Sequence, residues 1–298
     1  MTERVRLGTR GSPLALAQAD LAAQALSAIG VASEVVVIST RGDEAPAVPL
    51  GELGPGAFAN ALEEALAAGS VDIAVHSAKD LTGPEDEELP IVGYLARADP
   101  RDAWCGTARS LEEVPQGARV GTSSLRRTAM LRRLRPDLEI VPIRGNVQTR
   151  LDRRSTEGLD AVVLAACGLE RLGLTSDIGF RFDPTLLVPE SGQGAIALQT
   201  RIGEEHSAVR CAHAETGIAV RAERLVTRAL GGGCRVPVAA HAARRDGGWC
   251  LTGWVGAPDG SREVRLEVTA PDPIEVGDVL VERLIAGGAG DLLEAGRA

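Results

Sequence analysis

The feature that most constrains this chain is the alternation of β-branched and apolar runs with stretches of helical periodicity. Val5–Gly8, Glu34–Ser39 and Val71–Val75 read as strands. Between them, Ser12-Pro13 opens a helix, with serine at the N-cap and proline at the first helical position. Leu14, Ala17, Leu21, Ala25 and Ala28 give that helix one apolar face, and Ala57–Ala68 supplies a second helix. Apolar strands separated by helices need cover on both faces, which means a parallel sheet between helical layers.

The pattern then restarts. Arg119–Gly121, Leu138–Ile143 and Asp160–Ala165 read as strands, and Ser124–Leu134 and Asn146–Ser155 as helices. Leu7-Gly8-Thr9 before Ser12 and Val120-Gly121-Thr122 before Ser123-Ser124 share one scheme of strand, Gly-Thr, serine, helix, which fits two similar α/β domains. The Pro/Gly-rich stretch Val188–Gly194 reads as a hinge back to the first domain, and Pro84–Glu88 and Asp99–Asp102 as solvated loops or crossings. The tail differs: a helix at Thr216–Leu230, strands near Val236–Ala240, Trp249–Val255 and Glu263–Val268, and a helix near Pro273–Ala286 make a small α+β domain. The expected organisation is three domains: 1–96 with 192–213, 99–189, and 214–298.

Composition narrows the function. Seven aromatic residues in 298 leave the cores to Ala, Val, Leu and Ile, and provide no base-stacking surface for single-stranded nucleic acid. Of 32 basic residues only Lys79 is a lysine. Ten of the arginines fall between Arg119 and Arg154 against three acids, a surplus of +7 in a chain whose net charge is −9. A cationic segment in an acidic protein suits an anionic small ligand or an intramolecular face rather than a nucleic acid. Five cysteines with no Cys-x-x-Cys pair and four scattered histidines argue against a disulfide framework and a metal centre. A charged start and the lack of a long apolar run point to a cytoplasmic protein without membrane attachment.

Three constellations carry chemistry. The turns at Thr9–Ser12 and Thr122–Ser124 combine helix N-terminal amides and hydroxyls with Arg10, Arg126 and Arg127, and Arg144 and Arg150 follow nearby. Such turns bind anions, carboxylates above all, though a plain N-cap explains a single one. In His76-Ser77-Ala78-Lys79-Asp80, at the end of a buried strand, Asp80 can serve as general acid and then stabilise a developing cation, with Lys79 holding it or binding substrate. The bland reading is a Lys–Asp surface turn with His76 satisfied in the core. In Gly231-Gly232-Gly233-Cys234-Arg235, three glycines let the backbone approach something closely and Arg235 would help lower the thiol pKa; the other reading of Cys234 is an inert core cysteine, which is the reading for Cys105, Cys167, Cys211 and Cys250.

These segments occur in a specific order with others: Thr9-Arg10-Gly11-Ser12-Pro13-Leu14-Ala15, Thr40-Arg41-Gly42-Asp43, His76 to Asp80, Gly121 to Arg127, Arg144-Gly145-Asn146, Gly192-Gln193-Gly194-Ala195 and Gly232 to Pro237. In that order the chain resembles the porphobilinogen deaminase (hydroxymethylbilane synthase) family along essentially its whole length. The resemblance implies an α/β fold of three domains, two of them similar and built like periplasmic binding proteins, plus a small C-terminal α+β domain. It implies a monomeric transferase of tetrapyrrole biosynthesis that joins four porphobilinogen molecules head to tail into hydroxymethylbilane, releasing ammonia each time.

The resemblance also assigns residues. A dipyrromethane cofactor, one per chain, would be bound by thioether to Cys234 and contacted by Asp80, Lys79, Thr122, Ser124, Arg126, Arg127, Arg144 and Gly145. Substrate would meet Arg10, Ser12, Phe58, Arg144, Asn146, Arg150, Arg171 and Gln193, while Asp80 and Lys79 would be catalytic. The chain departs from the family at Glu52–Phe58, one residue shorter than the usual active-site loop and without its lysine, and at Thr82, where proline is usual. An anion-binding protein or inactive paralogue of the same architecture is the alternative, and a thiol anchor at Cys234 argues against it.

Overall fold

In a computed structural model the chain is described over residues 4–39, 59–81, 83, 86–231 and 236–295. Thr40 to Asp43, the 52–58 loop with Phe58, Thr82, and the segment 232–235 with Cys234 and Arg235 lie outside the described residues. Two compact units emerge, one of 1–98 with 194–217 and the other of 99–193 with 218–298.

The first unit is built on a five-stranded sheet of β1 (Val5–Arg10), β2 (Ser33–Ile38), β3 (Ile73–Ser77), β4 (Ile91–Tyr94) and β10 (Ile196–Gln199), in the order β2-β1-β3-β10-β4. β1 pairs in parallel with β2 and β3, while β10 runs antiparallel to both β3 and β4. Helix α1 (Pro13–Ala28) starts where the sequence placed it: Ser12 Oγ accepts from Ala15 N and Pro13 opens the first turn. Its Ala22 and Leu26 pack with Leu7, Ile73, Val75, Ile196 and Leu198 on one side of the sheet. On the other side, Leu62 and Leu66 of α2 (Asn60–Ala67) join Val71, Ala74 and Leu89. A short α6 (His206–Cys211) leads out of β10.

The second unit repeats this plan. Its sheet comprises β5 (Asp102–Gly106), β6 (Arg119–Gly121), β7 (Glu139–Val141), β8 (Ala161–Ala165) and β9 (Phe180–Arg181), in the order β7-β6-β8-β5-β9. β6 is parallel to β7 and β8, and β5 is antiparallel to β8 and β9, so the direction pattern is that of the first sheet. Helices α3 (Leu125–Leu134), α4 (Val147–Thr156) and α5 (Ala166–Arg171) accompany it, with Ser124 and Asn146 as side-chain N-caps of the first two. In each sheet the antiparallel strand comes from a distant part of the chain: β5 just after the first crossing, β10 after the return. The sequence reading missed both. It also took Asp99–Asp102 for solvated, whereas Asp102 opens β5 at 0% exposure.

The C-terminal portion adds an antiparallel sheet of β11 (Val238–Arg245), β12 (Gly248–Gly256) and β13 (Glu263–Ala270). It is covered by α7 (Ala214–Ala229) and α8 (Gly277–Leu284), with α9 (Gly290–Ala295) following. Val226, Leu251, Val255, Leu280 and Leu284 belong to its core. Trp254 turns instead into the core that holds Val120, Met130 and Leu131, donating from Nε1 to Glu263 at 2.7 Å. Glu263 also meets Arg133 at 2.9 Å, and Arg132 donates to the Pro258 carbonyl. Gly260 closes this contact at φ +77°, where a Cβ would sit 2.8 Å from Arg132 Cβ.

Glu223, on α7 and fully buried, fastens two further pieces together. Its carboxylate accepts from Gly192 N at 2.7 Å in the return segment and from Ala242 N at 2.8 Å in β11, with His241 Nδ1 at 3.2 Å. Glu223→Ala leaves two buried N–H groups without their charged acceptor. The expected cost is about 3 kcal/mol, read from the denaturant midpoint at unchanged slope.

Candidate active site

In the first unit the site grows from the carboxyl ends of β1 and β3, where open parallel sheets place their ligand-binding loops. β1 delivers Arg10 to the strand end, and Thr9, fully buried, donates from its hydroxyl to the Ala15 carbonyl at 3.1 Å. That bond and the Ser12 cap hold the first turn of α1 in place. Gln18, one turn further along, donates from Nε2 to Ser77 Oγ at 2.8 Å, so α1 is tied to the end of β3. There the chain makes one 3-10 turn, Ala78–Asp80, steadied by Ala78 N donating to the Ala195 carbonyl. Asp80 is exposed, and Lys79 beside it is half-buried.

The result is an open cleft whose polar lining is Arg10, Ser12, Gln18, His76, Ser77 and Asp80. The structure thus brings Arg10, Ser12 and Asp80 together, and places Lys79 on the turn that carries Asp80. A cationic anchor for carboxylates and an exposed carboxylate for a cation share one cavity. Sequence reasoning missed Gln18, whose signal is weak: an amide on the otherwise apolar side of a helix.

In the second unit the predicted anion turn forms, and its arginines are engaged by the protein. Ser124 Oγ accepts from Arg127 N at 3.4 Å, and the buried Thr122 hydroxyl accepts from Ser124 N at 3.3 Å. Arg126 and Arg127 are buried at 3% and 6% exposure. Arg126 Nη1 meets Asp102 Oδ2 at 2.8 Å and the Val188 carbonyl at 2.6 Å, and its Nε meets Glu190 at 3.0 Å. Arg127 contacts Asp102 Oδ1 through Nε and Nη2 at 3.0 and 2.7 Å, and donates to the Val163 carbonyl. Burial alone would raise the Asp102 pKa, but the two guanidiniums hold it well below the usual carboxylate range. Gln193, fully buried, donates from Nε2 to Asp102 and to the Pro100 carbonyl, so it braces this cluster.

Arg144, Gly145, Asn146 and Arg150 form one turn. Asn146 Oδ1 accepts from Thr149 N and Oγ1, both at 2.9 Å, and Arg150 Nε donates to the Gly145 carbonyl at 2.7 Å. Gly145 is required there: φ is +109°, and a Cβ would come within 2.6 Å of Thr149 Cγ2. Arg144 and Arg150 are half-exposed. Arg171 ends α5, where burial pulls its pKa down. Cys105, Cys167, Cys211 and Cys250 are free thiols; burial pushes Cys105 up to about 12 and raises Cys211 and Cys250. Cys105, Cys167 and Cys250 are buried as core residues, Cys211 is half-buried, and Cys234 and Phe58 fall outside the described residues.

Residues 5–208 match the family model described as "Porphobilinogen deaminase, dipyromethane cofactor binding domain", and residues 218–286 match "Porphobilinogen deaminase, C-terminal domain". The chain is 42% identical over 300 residues to a porphobilinogen deaminase of Trichlorobacter lovleyi, covering 98% of this chain and 96% of that one. It is 44% identical over 299 residues to the porphobilinogen deaminase of Pelobacter propionicus, with coverage of 98% and 96%. Among solved structures, a periplasmic substrate-binding protein from Coxiella burnetii aligns over 71% of this chain and 93% of its own, at 18% identity and a TM-score of 0.43.

His76 gives this unit a defined response to acid. Burial pushes its pKa down to about 4 against the Gln199 hydrogen bond, which pulls upward. The unfolded chain therefore takes the proton first, near the ordinary value of 6.5. Its contribution is complete above that value and is lost as pH falls through about 4. Unfolding free energy measured across this window falls with acid, and the fall is shallower in His76→Gln.

Proposed function

The chain belongs to the porphobilinogen deaminase family, and we infer from the cleft described above how its residues serve that family's reaction. The enzyme condenses four porphobilinogen molecules head to tail into hydroxymethylbilane, releasing ammonia at each step, in tetrapyrrole biosynthesis. The observation that carries the residue assignment is the shared cleft of Arg10, Ser12 and Asp80.

Each substrate pyrrole brings an acetate, a propionate and an aminomethyl ammonium. Arg10, with Ser12 and the first turn of α1, suits a carboxylate. Asp80 suits the other end. As the substrate C–N bond breaks, its electron pair leaves with nitrogen as ammonia, and the positive charge stays on the azafulvenium. An exposed carboxylate on a short, braced turn stabilises that charge without reorganising. Lys79 on the same turn orients Asp80 or takes a carboxylate. Loss of a proton from the pyrrole carbon that attacks completes each condensation.

The dipyrromethane that the family requires fits the donor chemistry of this chain, since a polyanion needs arginines and hydroxyls. When bound it supplies the primer to which the first substrate unit is joined. We assign its thioether to Cys234 and its contacts to Lys79, Asp80, Thr122, Ser124, Arg126, Arg127, Arg144 and Gly145. Phe58, Asn146, Arg150, Arg171 and Gln193 are assigned to substrate. Within these sets Asn146, Arg126 and Arg127 act through the turns they hold as well as by contact, and the fully buried Gln193 acts by bracing Asp102. We treat 214–298 as a domain with its own core, beside 1–96 with 192–213 and 99–189.

The basic segment supports a small-molecule ligand over nucleic acid. Its arginines are matched internally, Arg119 to Glu139, Arg126 and Arg127 to Asp102, Arg135 to Asp137, and Arg153 to Glu157. Four free thiols support a reducing, cytoplasmic setting. No helix among the described residues is long and apolar enough to cross a membrane. Every role is assigned within one chain, so we take the enzyme to act as a monomer.

Asp80→Ala is expected to fold, keep its cofactor and lose roughly 10²–10³-fold in kcat; near-normal turnover removes Asp80 from this role. Cys234→Ala is expected to purify without the dipyrromethane adduct in intact-mass spectrometry under denaturing conditions. An adduct that persists in that variant moves the anchor to another cysteine.

A further inference from the structure

His76 is 5% exposed and yet lines the same cleft as Asp80. Its Nε2 lies 2.9 Å from Gln199 Oε1, and the orientation of that amide is fixed by its surroundings. Gln199 Nε2 donates to the Leu89 carbonyl at 2.8 Å and towards Glu63 Oε1 at 3.2 Å. Both of those partners only accept, so the amide nitrogen faces them and the amide oxygen faces the imidazole. The ring therefore carries its proton on Nε2, and Nδ1 is a bare lone pair. Among the described residues nothing donates to Nδ1, and it is not one of the polar atoms sealed inside the protein. Nδ1 is the ring nitrogen that Gln199 does not engage, on a residue that lines the cleft.

Burial keeps this imidazole neutral at neutral pH. The charged groups around it are Glu63 beyond Gln199, and Asp80 and Arg10 in the cleft. An imidazolium here would repel both the aminomethyl ammonium and the cation left when ammonia departs. A neutral acceptor repels neither, and it complements the substrate's donors, the ammonium and the pyrrole N–H.

Resting on the deaminase reading above, we propose that His76 is a further substrate-binding residue, a neutral acceptor whose Nδ1 takes a hydrogen bond from a donor of the pyrrole substrate. Gln199, oriented by the Leu89 carbonyl, is the positioning residue that selects the tautomer.

Two substitutions separate this role from a structural one. Asparagine carries its side-chain oxygen near the position of Nδ1, and glutamine carries its amide near the position of Nε2. His76→Gln keeps the bond to Gln199 and is expected to lower kcat/KM for porphobilinogen by roughly 10- to 100-fold, the worth of a hydrogen bond to a charged donor. His76→Asn loses that bond but is expected to keep most of the activity. The reverse order, or equal effects of the two, overturns the proposal. Intact mass and thermal midpoint of each holoenzyme establish that cofactor and fold are retained.

Should His76→Asn fail to fold, long-range proton–nitrogen spectra of the wild-type holoenzyme decide the matter. The His76 Nδ1 resonance is expected at the unprotonated position and to move upfield when porphobilinogen is added; an unmoved resonance overturns the proposal. A wild-type enzyme that does not consume porphobilinogen instead refutes the deaminase reading itself.

Discussion

The second unit depends on one buried carboxylate. Asp102, without solvent access at the start of β5, takes hydrogen bonds from Arg126, Arg127 and Gln193. Desolvating three charges costs several kcal/mol per ion, so this cluster is not explained as a net source of stability. Its effect is geometric. β5 is the antiparallel strand inserted beside β8, α3 begins just after β6, and Gln193 ends the return segment. Asp102 joins these three pieces, which the chain order keeps apart, and fixes the first turn of α3. Thr122 and Ser124 hold their positions because the helix that Ser124 caps cannot slide along the sheet.

In the first unit, neutral side-chain hydrogen bonds among the described residues make the corresponding ties. There α1 is tied to β3 by Gln18 and Ser77, and β10 is tied to β3 by Gln199 and His76. Neutral side-chain bonds replace the Asp–Arg cluster at the equivalent strand ends. The two sheets share strand order and direction, while the polar chemistry at their edges has diverged.

Much of this was legible in the sequence, for reasons that are local. Ser12, Ser124 and Asn146 are side-chain caps within three residues of the amides they satisfy, and the helices they open follow apolar periodicity. The motifs around Asp80 and Arg144 lie on single turns. What escaped notice is non-local. β5 and β10 are short, pair with strands far away in the chain, and adjoin Pro- and Gly-containing segments that look like loops. Asp102 follows Asp99-Pro100-Arg101, a context that reads as a solvated turn until its partners 24 and 25 residues away are known. Glu223 and Gln199 look like ordinary polar positions, and only the fold shows the backbone groups that need them.

The cationic stretch from Arg119 to Arg154 shows why residue type alone does not identify a ligand-binding arginine. Arg133 and Arg135 serve Glu263 and Asp137, and Arg153 pairs with Glu157 one turn away on α4. Arg126 and Arg127, the most buried of the set, are the most thoroughly occupied by protein acceptors. A ligand carboxylate that meets them joins a cluster already charge-compensated by Asp102 and Glu190, so the gain comes from orientation more than from net charge. Arg10 stands in a different setting, half-buried at the end of β1 and lining the same cleft as the exposed Asp80. The chain thus separates two uses of arginine. The buried pair fixes where a helix begins, and the strand-end residue lines an open cleft. A run of ten arginines hides that division, because burial and partner, and not the guanidinium itself, decide which use each one has.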